Sequence, residues 1–200
     1  GNRRLAVNPT EGVKSSKRKG TSKHHLREPL TNAEVRRVLA LPDTSTPQGK
    51  RDQAILMLKA YTGARDIEIH RADYRDLRTQ NNKLVLYVQG KGQETSDEFI
   101  VLANPALEDA MYNWLAARGN NPGPLFTSIS NRALNGRLSL RSIRRMVKTY
   151  YQAAGVKGEY KTSHSLRHTA ITNAIRHGAP VQKVKNMARH ASIETTMIYY

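Results

Sequence analysis

Residues 164–200 read HSLRHTAITNAIRHGAPVQKVKNMARHASIETTMIYY. The apolar spacing predicts a helix from Ser165 to His177 closed by Gly178, a second from about Pro180 to Ala188, and a final segment from Ile193. His164 and Arg167 open the first helix, Arg189 and His190 end the second, and Tyr199 follows His190 by nine residues. These types suit work on a phosphate. A guanidinium is planar, permanently cationic and bidentate, so it matches phosphate oxygens. A phenol, titrating near about 10, becomes a nucleophile only when desolvated among cations. His164 and His168 have the i, i+4 spacing of helical zinc ligands. The Glu of a zinc protease is missing between them and no carboxylate partner is evident nearby, so no metal is expected and His168 reads as structural.

Working back from this stretch, a helix spans about Leu140 to Ala154, with Leu140, Ile143, Val147 and Tyr151 inward and Arg144, Arg145 and Lys148 on a candidate phosphate-facing side. Before it, a helix from Pro105 to about Ala117 aligns Leu107, Met111, Trp114 and Leu115, with proline in the first turn. Residues 83–88 and Glu98 to Leu102 are rich in strand formers around Gly90-Lys91-Gly92, a β-hairpin with Lys91 at its tip. A helix from about Gln48 or Lys50 to Tyr61 buries Ala54, Ile55, Leu58 and Tyr61, and stops at Thr62-Gly63. A short helix with Arg65, Ile67, Glu68 and Ile69 follows. Thr31 and Glu34 form a capping box, Leu30 and Val35 a hydrophobic staple, and Val35, Val38 and Leu39 give the first helix its apolar face. The class is mainly α with a small antiparallel sheet, α+β.

The chain has 33 Lys and Arg against 16 Asp and Glu, a formal charge of +17. Such an excess repels itself in a compact state and points to a polyanionic partner. No basic amphipathic helix with an aromatic face is evident, which favours nucleic acid over a membrane surface. Cysteine is absent, excluding disulfides and thiolate chemistry. No apolar run approaches the roughly 18 residues of a membrane span, and the N-terminus lacks a secretory h-region. A cytoplasmic protein is expected. Residues 1–29 hold Lys14, Lys17, Arg18 and Lys19 with little apolar periodicity, and read as a basic arm or linker.

TGARDIEI around Arg65, VQGKG around Lys91, HSLRHT around His164 and Arg167, and RHASIETTMIYY at the end together resemble the tyrosine recombinase, or phage integrase, family. The resemblance covers roughly Thr31 to Tyr200 and rests on the order and distances of the pieces. It implies the catalytic-domain fold of DNA breaking-rejoining enzymes over residues 30–200. It also implies that a core-binding domain precedes the basic arm and that this chain is cut short after its nucleophile, so that cutting is weak in isolation.

The resemblance implies a catalytic set of Arg65, Lys91, His164, Arg167, His190 and Tyr199. Attack on phosphorus builds charge on the non-bridging oxygens, which Arg65 and Arg167 stabilise. Lys91 is the candidate general acid for the departing 5′ oxygen, although an ordinary lysine titrates near about 10.4 and needs cationic neighbours to lower it. His164 and His190 contact the phosphate or manage the Tyr199 proton. Glu68, one turn beyond Arg65, orients that arginine or its neighbours. Tyr200 is the rival nucleophile, but the spacing from His190 matches the family at Tyr199. The family commonly has glycine where this chain has Arg189, which adds a cation beside the site. A 3′-phosphotyrosyl intermediate conserves bond energy, so no cofactor, ATP or metal is expected.

The implied function is site-specific recombination or integration, with double-stranded DNA and further recombinase subunits, a tetrameric synapse, as partners. A bacterial mobile element or prophage is the expected source. Two alternatives differ in class: a topoisomerase or resolvase with the same chemistry, and a non-catalytic DNA-binding module using the basic arm with Arg144, Arg145 and Lys148.

Overall fold

In a computed structural model, which describes residues 28–89, 98–129 and 134–200, the chain is mostly helical with one antiparallel sheet. Helix α1 (Asn32–Ala40) starts at the expected capping box: Thr31 Oγ1 accepts from the Glu34 amide at 3.2 Å, and the Glu34 carboxylate from the Thr31 amide at 2.8 Å. Helix α2 (Pro47–Thr62) begins ahead of its apolar pattern because Thr46 caps it, accepting from the Gly49 amide at 3.0 Å, and Pro47 suits a first turn. A Cβ on Gly49 would stand 1.9 Å from the Asp43 carbonyl oxygen, so glycine alone lets the preceding loop fold back onto this helix.

Ala54, Ile55 and Leu58 are buried as expected, but Tyr61 is 42% exposed. The reason is the face it occupies: Lys59, Ala60 and Thr62 of the same turn are buried, whereas Tyr61 continues the less buried stripe of Gln53 and Met57 and borders an open groove with Val35, Ala170 and Met187. Lys59, which shares a face with Ile55, is instead fully buried. Gly63 ends the helix at φ 66°, and α3 (Asp66–Arg71) follows at once.

The sheet has one strand more than expected. Strands β1 (Leu77–Gln80), β2 (Lys83–Val88) and β3 (Glu98–Val101) pair antiparallel in that order. The β2–β3 pairing, with Val88 opposite Glu98, is the predicted hairpin; its tip, including Lys91, lies outside the described residues. Strand β1 has only half-buried Leu77 and exposed polar residues, so hydrophobic alternation does not mark it. Its signal is the turn Asn81-Asn82, with φ of 49° and 57°, a two-residue connection that asparagine tolerates.

Helix α4 (Pro105–Arg118) buries Leu107, Ala110, Met111 and Trp114, and the Trp114 indole donates to the Leu125 carbonyl at 2.9 Å. Helix α5 (Leu140–Ala153), capped by Ser139, buries Ile143, Val147 and Tyr151, while Leu140 in its first turn is only half-buried. Helices α6 (Ser165–Arg176), α7 (Val181–Ala188) and the short α8 (Glu194–Met197) complete the order. One core joins α2, α4 and the sheet; a second joins α1, α2, α5 and Leu166. Each fully buried Leu or Ile contributes about 1.5–3 kcal/mol. A third, small cluster of Ile171, Val184 and Ala188 carries Tyr199 at its margin, which ties the C-terminal segment to α6.

Candidate active site

Arg65 caps α3 with extended backbone, and its side chain turns toward the C-terminal segment. Its Nη1 donates to Glu68 Oε1 at 2.7 Å, its amide to Glu68 Oε2 at 2.7 Å, and its Nη2 to the Arg189 carbonyl at 2.6 Å. Glu68 is buried and also accepts from Arg189, Nε at 3.0 Å and Nη2 at 2.8 Å. Burial alone would raise the Glu68 carboxyl, but the Arg189 guanidinium and then Arg65 hold it below its ordinary value. Glu68 therefore holds two arginines rather than one, and Arg189 is a structural cation of the site rather than a bystander.

Arg167 lies on α6, buried against the α2 terminus. Its Nη1 donates to the Gly63 carbonyl at 2.6 Å and its Nη2 to the Ala188 carbonyl, so one side chain ties the end of α2 to the end of α7. Burial, then the charges of Arg65 and Arg189, push its guanidinium down to about 9, which leaves it protonated at neutral pH.

His190 follows the left-handed turn at Arg189, φ 51°. Its Nδ1 lies 2.8 Å from the hydroxyl of buried Thr196, which leaves Nε2 as the nitrogen able to meet a substrate. Desolvation, then Arg167, Arg65 and Arg189, push the ring down to about 4, so it is neutral at physiological pH. The half-buried Tyr199 ring lies between two histidines, 5.2 Å from the His168 centroid and 6.2 Å from that of His190. It is also within electrostatic reach of Arg167. Tyr200 is elsewhere: its hydroxyl donates to the Ala179 carbonyl at 2.9 Å, and the residue is largely exposed.

His164 caps α6 and lines a cleft with Asp66, Ser163, Arg144 and Lys148. Beneath it sits a group that the sequence reading missed. Lys59 Nζ donates to Asp66 Oδ1 at 2.6 Å and to the Ala64 carbonyl at 3.3 Å, and Ser163 Oγ donates to the same Asp66 oxygen at 2.7 Å. Arg144 Nε approaches Asp66 Oδ2 at 3.3 Å from the solvent side. Burial lowers the proton affinity of Lys59. It would raise that of Asp66, but the ammonium and Ser163 outweigh it and hold the carboxyl below its ordinary value. A signal was available: Lys59 falls on the inward face of α2, where a charge is costly unless paired.

Of the predicted set, Arg65, Arg167, His190 and Tyr199 converge, with Glu68 behind the arginines and His164 bordering the adjoining cleft. Lys91, Lys14, Lys17, Arg18 and Lys19 lie outside the described residues. The three predicted phosphate contacts on α5 are divided: Arg144 and Lys148 flank the His164 cleft, whereas Arg145 lines a different one with Arg51, Ser142 and Tyr150. Among the described residues no group of His, Asp and Glu is arranged to hold a metal ion, and no helix is long and apolar enough to cross a membrane.

A model described as the phage integrase family matches residues 28–200. Tyrosine recombinase XerC of Corynebacterium efficiens is 35% identical over 150 residues, covering 75% of this chain and 46% of that protein. Tyrosine recombinase XerD of Neisseria meningitidis serogroup B is 30% identical over 180 residues, covering 85% and 57% respectively. The chain thus spans about half the length of the curated relatives it matches. Among solved structures, XerA recombinase superposes with a TM-score of 0.69 at 26% identity, covering 88% of this chain and 60% of that one. XerH recombinase in a post-cleavage complex with a palindromic difH substrate superposes with a TM-score of 0.72 at 22% identity, covering 88% and 50%. The XerH likeness is one of fold.

Proposed function

The chain belongs to the phage integrase family, and from that premise we propose that it is a site-specific recombinase which cleaves and rejoins DNA through Tyr199. The observation that carries this reading is the meeting of Arg65, Arg167, His190 and Tyr199, drawn from separate segments, with the buried Glu68 carboxylate bonded to Arg65 and Arg189. Tyr199 Oη attacks phosphorus and forms the phosphotyrosyl bond, and the bond to the 5′ oxygen breaks. Arg65 and Arg167 stabilise the charge that builds on the non-bridging oxygens. Both are held by carbonyl or carboxylate groups before substrate arrives, so little reorganisation accompanies reaction.

Neutral His190 donates or accepts at Nε2. A bound phosphate offsets the arginine charges and raises its proton affinity, which favours a role in moving the Tyr199 proton. His164 contacts the phosphate from the adjoining cleft. Lys91, which falls between β2 and β3 in the sequence, protonates the departing 5′ oxygen, giving a free hydroxyl. Rejoining is the reverse attack by a 5′ hydroxyl, so the bond energy is conserved and no cofactor takes part.

The substrate is double-stranded DNA. Exchange between two duplexes requires several copies of the enzyme assembled on them, and a bacterial mobile element in the cytoplasm is the setting we assign. Residues 30–200 form the catalytic unit, and the basic stretch 1–29 adds phosphate contacts through Lys14, Lys17, Arg18 and Lys19.

The test uses a pool of nicked duplexes of random sequence. Wild-type protein is expected to leave an SDS-stable protein–DNA adduct, and Tyr199→Phe none. No adduct with wild type, or an undiminished one with Tyr199→Phe, overturns the assignment.

A further inference from the structure

Lys59 is fully buried, and no step of the proposed reaction uses it. Its ammonium bonds to Asp66 at 2.6 Å and to the Ala64 carbonyl at 3.3 Å, which grips the short loop between α2 and α3 on either side of Arg65. Asp66, itself 2% exposed, accepts from Ser163, the residue before His164. The α2–α3 corner that presents Arg65 and the loop that presents His164, about a hundred residues apart in sequence, therefore meet on one carboxylate, with Arg144 of α5 at 3.3 Å on its solvent side. Lys59 also feels the charges of Arg167 and Glu68, so the group lies directly behind the arginine cluster.

Stability alone is a weak account of this arrangement. Desolvating both ions costs several kcal/mol each, and an apolar pair of similar volume is often as stable or more so. What a buried pair with a third bonded partner supplies is a single permitted geometry. A hydrophobic contact tolerates sliding, whereas hydrogen bonds between charged groups weaken steeply with distance and angle.

We propose that Asp66, anchored by Lys59 and bonded to Ser163, is a positioning residue that sets the separation of His164 from Arg65 across the scissile phosphate. The role rests on the recombinase reading above and deepens it. Glu68 aligns the two arginines with each other; Asp66 aligns the Arg65 loop with the histidine. Loss of this register misplaces one phosphate ligand relative to the other, and displacements on the order of 1 Å cost up to roughly a hundredfold in rate.

The experiment measures single-turnover adduct formation at saturating nicked duplex, with DNA affinity and thermal midpoint determined for each variant. Ser163→Ala is expected to slow adduct formation roughly tenfold or more with little change in affinity or midpoint, in the range seen when a supporting hydrogen bond is removed. Ser163→Thr, which keeps the hydroxyl, is expected to restore most of the rate. The double variant Lys59→Met, Asp66→Leu refills the space with apolar groups and is expected to fold and bind DNA but cleave slowly. Wild-type rates in Ser163→Ala or in a folded double variant overturn the positioning role, as does failure of Ser163→Thr to recover. If the double variant does not fold, the Ser163 pair decides. Absence of an adduct from wild type removes the recombinase reading and this role with it; a wild-type adduct matched by both variants removes this role alone.

Discussion

The Arg189 guanidinium meets the Glu68 carboxylate at two points, Nε to Oε1 at 3.0 Å and Nη2 to Oε2 at 2.8 Å. Arg189 occupies the left-handed region at φ 51°, which favours glycine, yet its side chain is almost wholly buried. Backbone strain of about 1–3 kcal/mol is tolerated there because the pair also positions Arg65, whose Nη2 bonds to the Arg189 carbonyl.

Arg189→Gly sets those effects against each other. Removing one partner of a buried ion pair costs about 3–5 kcal/mol, while glycine relieves the positive φ, and Arg65 still partly neutralises Glu68. The pair is expected to win, with a net loss of roughly 2 kcal/mol in urea unfolding. A stabilised variant would show that the strain outweighs the pair.

His190 binds a proton more weakly in the folded chain, at about 4, than in the unfolded chain, at about 6.5. The unfolded state therefore takes up protons first as pH falls, so stability is fully present above about 6.5 and drops toward about 4. Glu68 and Asp66, whose carboxyls are also held low, extend the loss through the acid range below their ordinary values of 4.5 and 3.8. Urea midpoints across pH should show both parts. His190→Asn is expected to flatten the upper part only, and an unchanged slope there would remove His190 as its source.

Gly49→Ala places a methyl group on the Asp43 carbonyl oxygen, a backbone atom that cannot swing away. Overpacking of this kind costs about 1–3 kcal/mol, so the thermal midpoint should fall measurably. A neutral result would mean that the Asp43 loop yields freely.

Tyr200→Phe removes an exposed hydroxyl bonded to the Ala179 carbonyl. Adduct formation is expected to survive, in contrast to Tyr199→Phe. The reverse outcome would exchange the two tyrosines.

Arg144 and Lys148 flank the His164 cleft, and Arg145 does not. If the cleft follows the DNA strand, replacing both Arg144 and Lys148 with alanine should reduce the log–log salt slope of DNA binding by about 1.8, roughly 0.9 for each lost phosphate contact. Arg145→Ala should leave the slope nearly unchanged. Equal effects from the two faces would place DNA across both.

Local signals were legible without a structure. The Thr31–Glu34 box, the Gly63 stop, the β2–β3 pairing and the inward faces of α4 and, Leu140 apart, of α5 each depend on residues close in sequence, and stand in the fold. Strand β1 was not legible, because its side chains are half-buried or exposed and its pairing depends on the Asn81-Asn82 turn rather than on alternation. Tyr61 looked buried because it follows Leu58 by three residues, but α2 is buried around most of its circumference and Tyr61 falls on the remaining stripe with Gln53 and Met57.

For Tyr199, the sequence by itself determined the residue types, their order and the spacing from His190, and from these the family. Only the tertiary structure decided which groups stand behind them. Lys59, Asp66 and Ser163 meet although they are separated along the chain, as do Glu68 and Arg189. A buried charge takes its partner from whatever the packing brings within hydrogen-bond distance, and sequence spacing carries no record of that distance. The same holds for the two adjacent tyrosines: in the turn after α8, Tyr199 faces the histidines and Tyr200 reaches the Ala179 carbonyl.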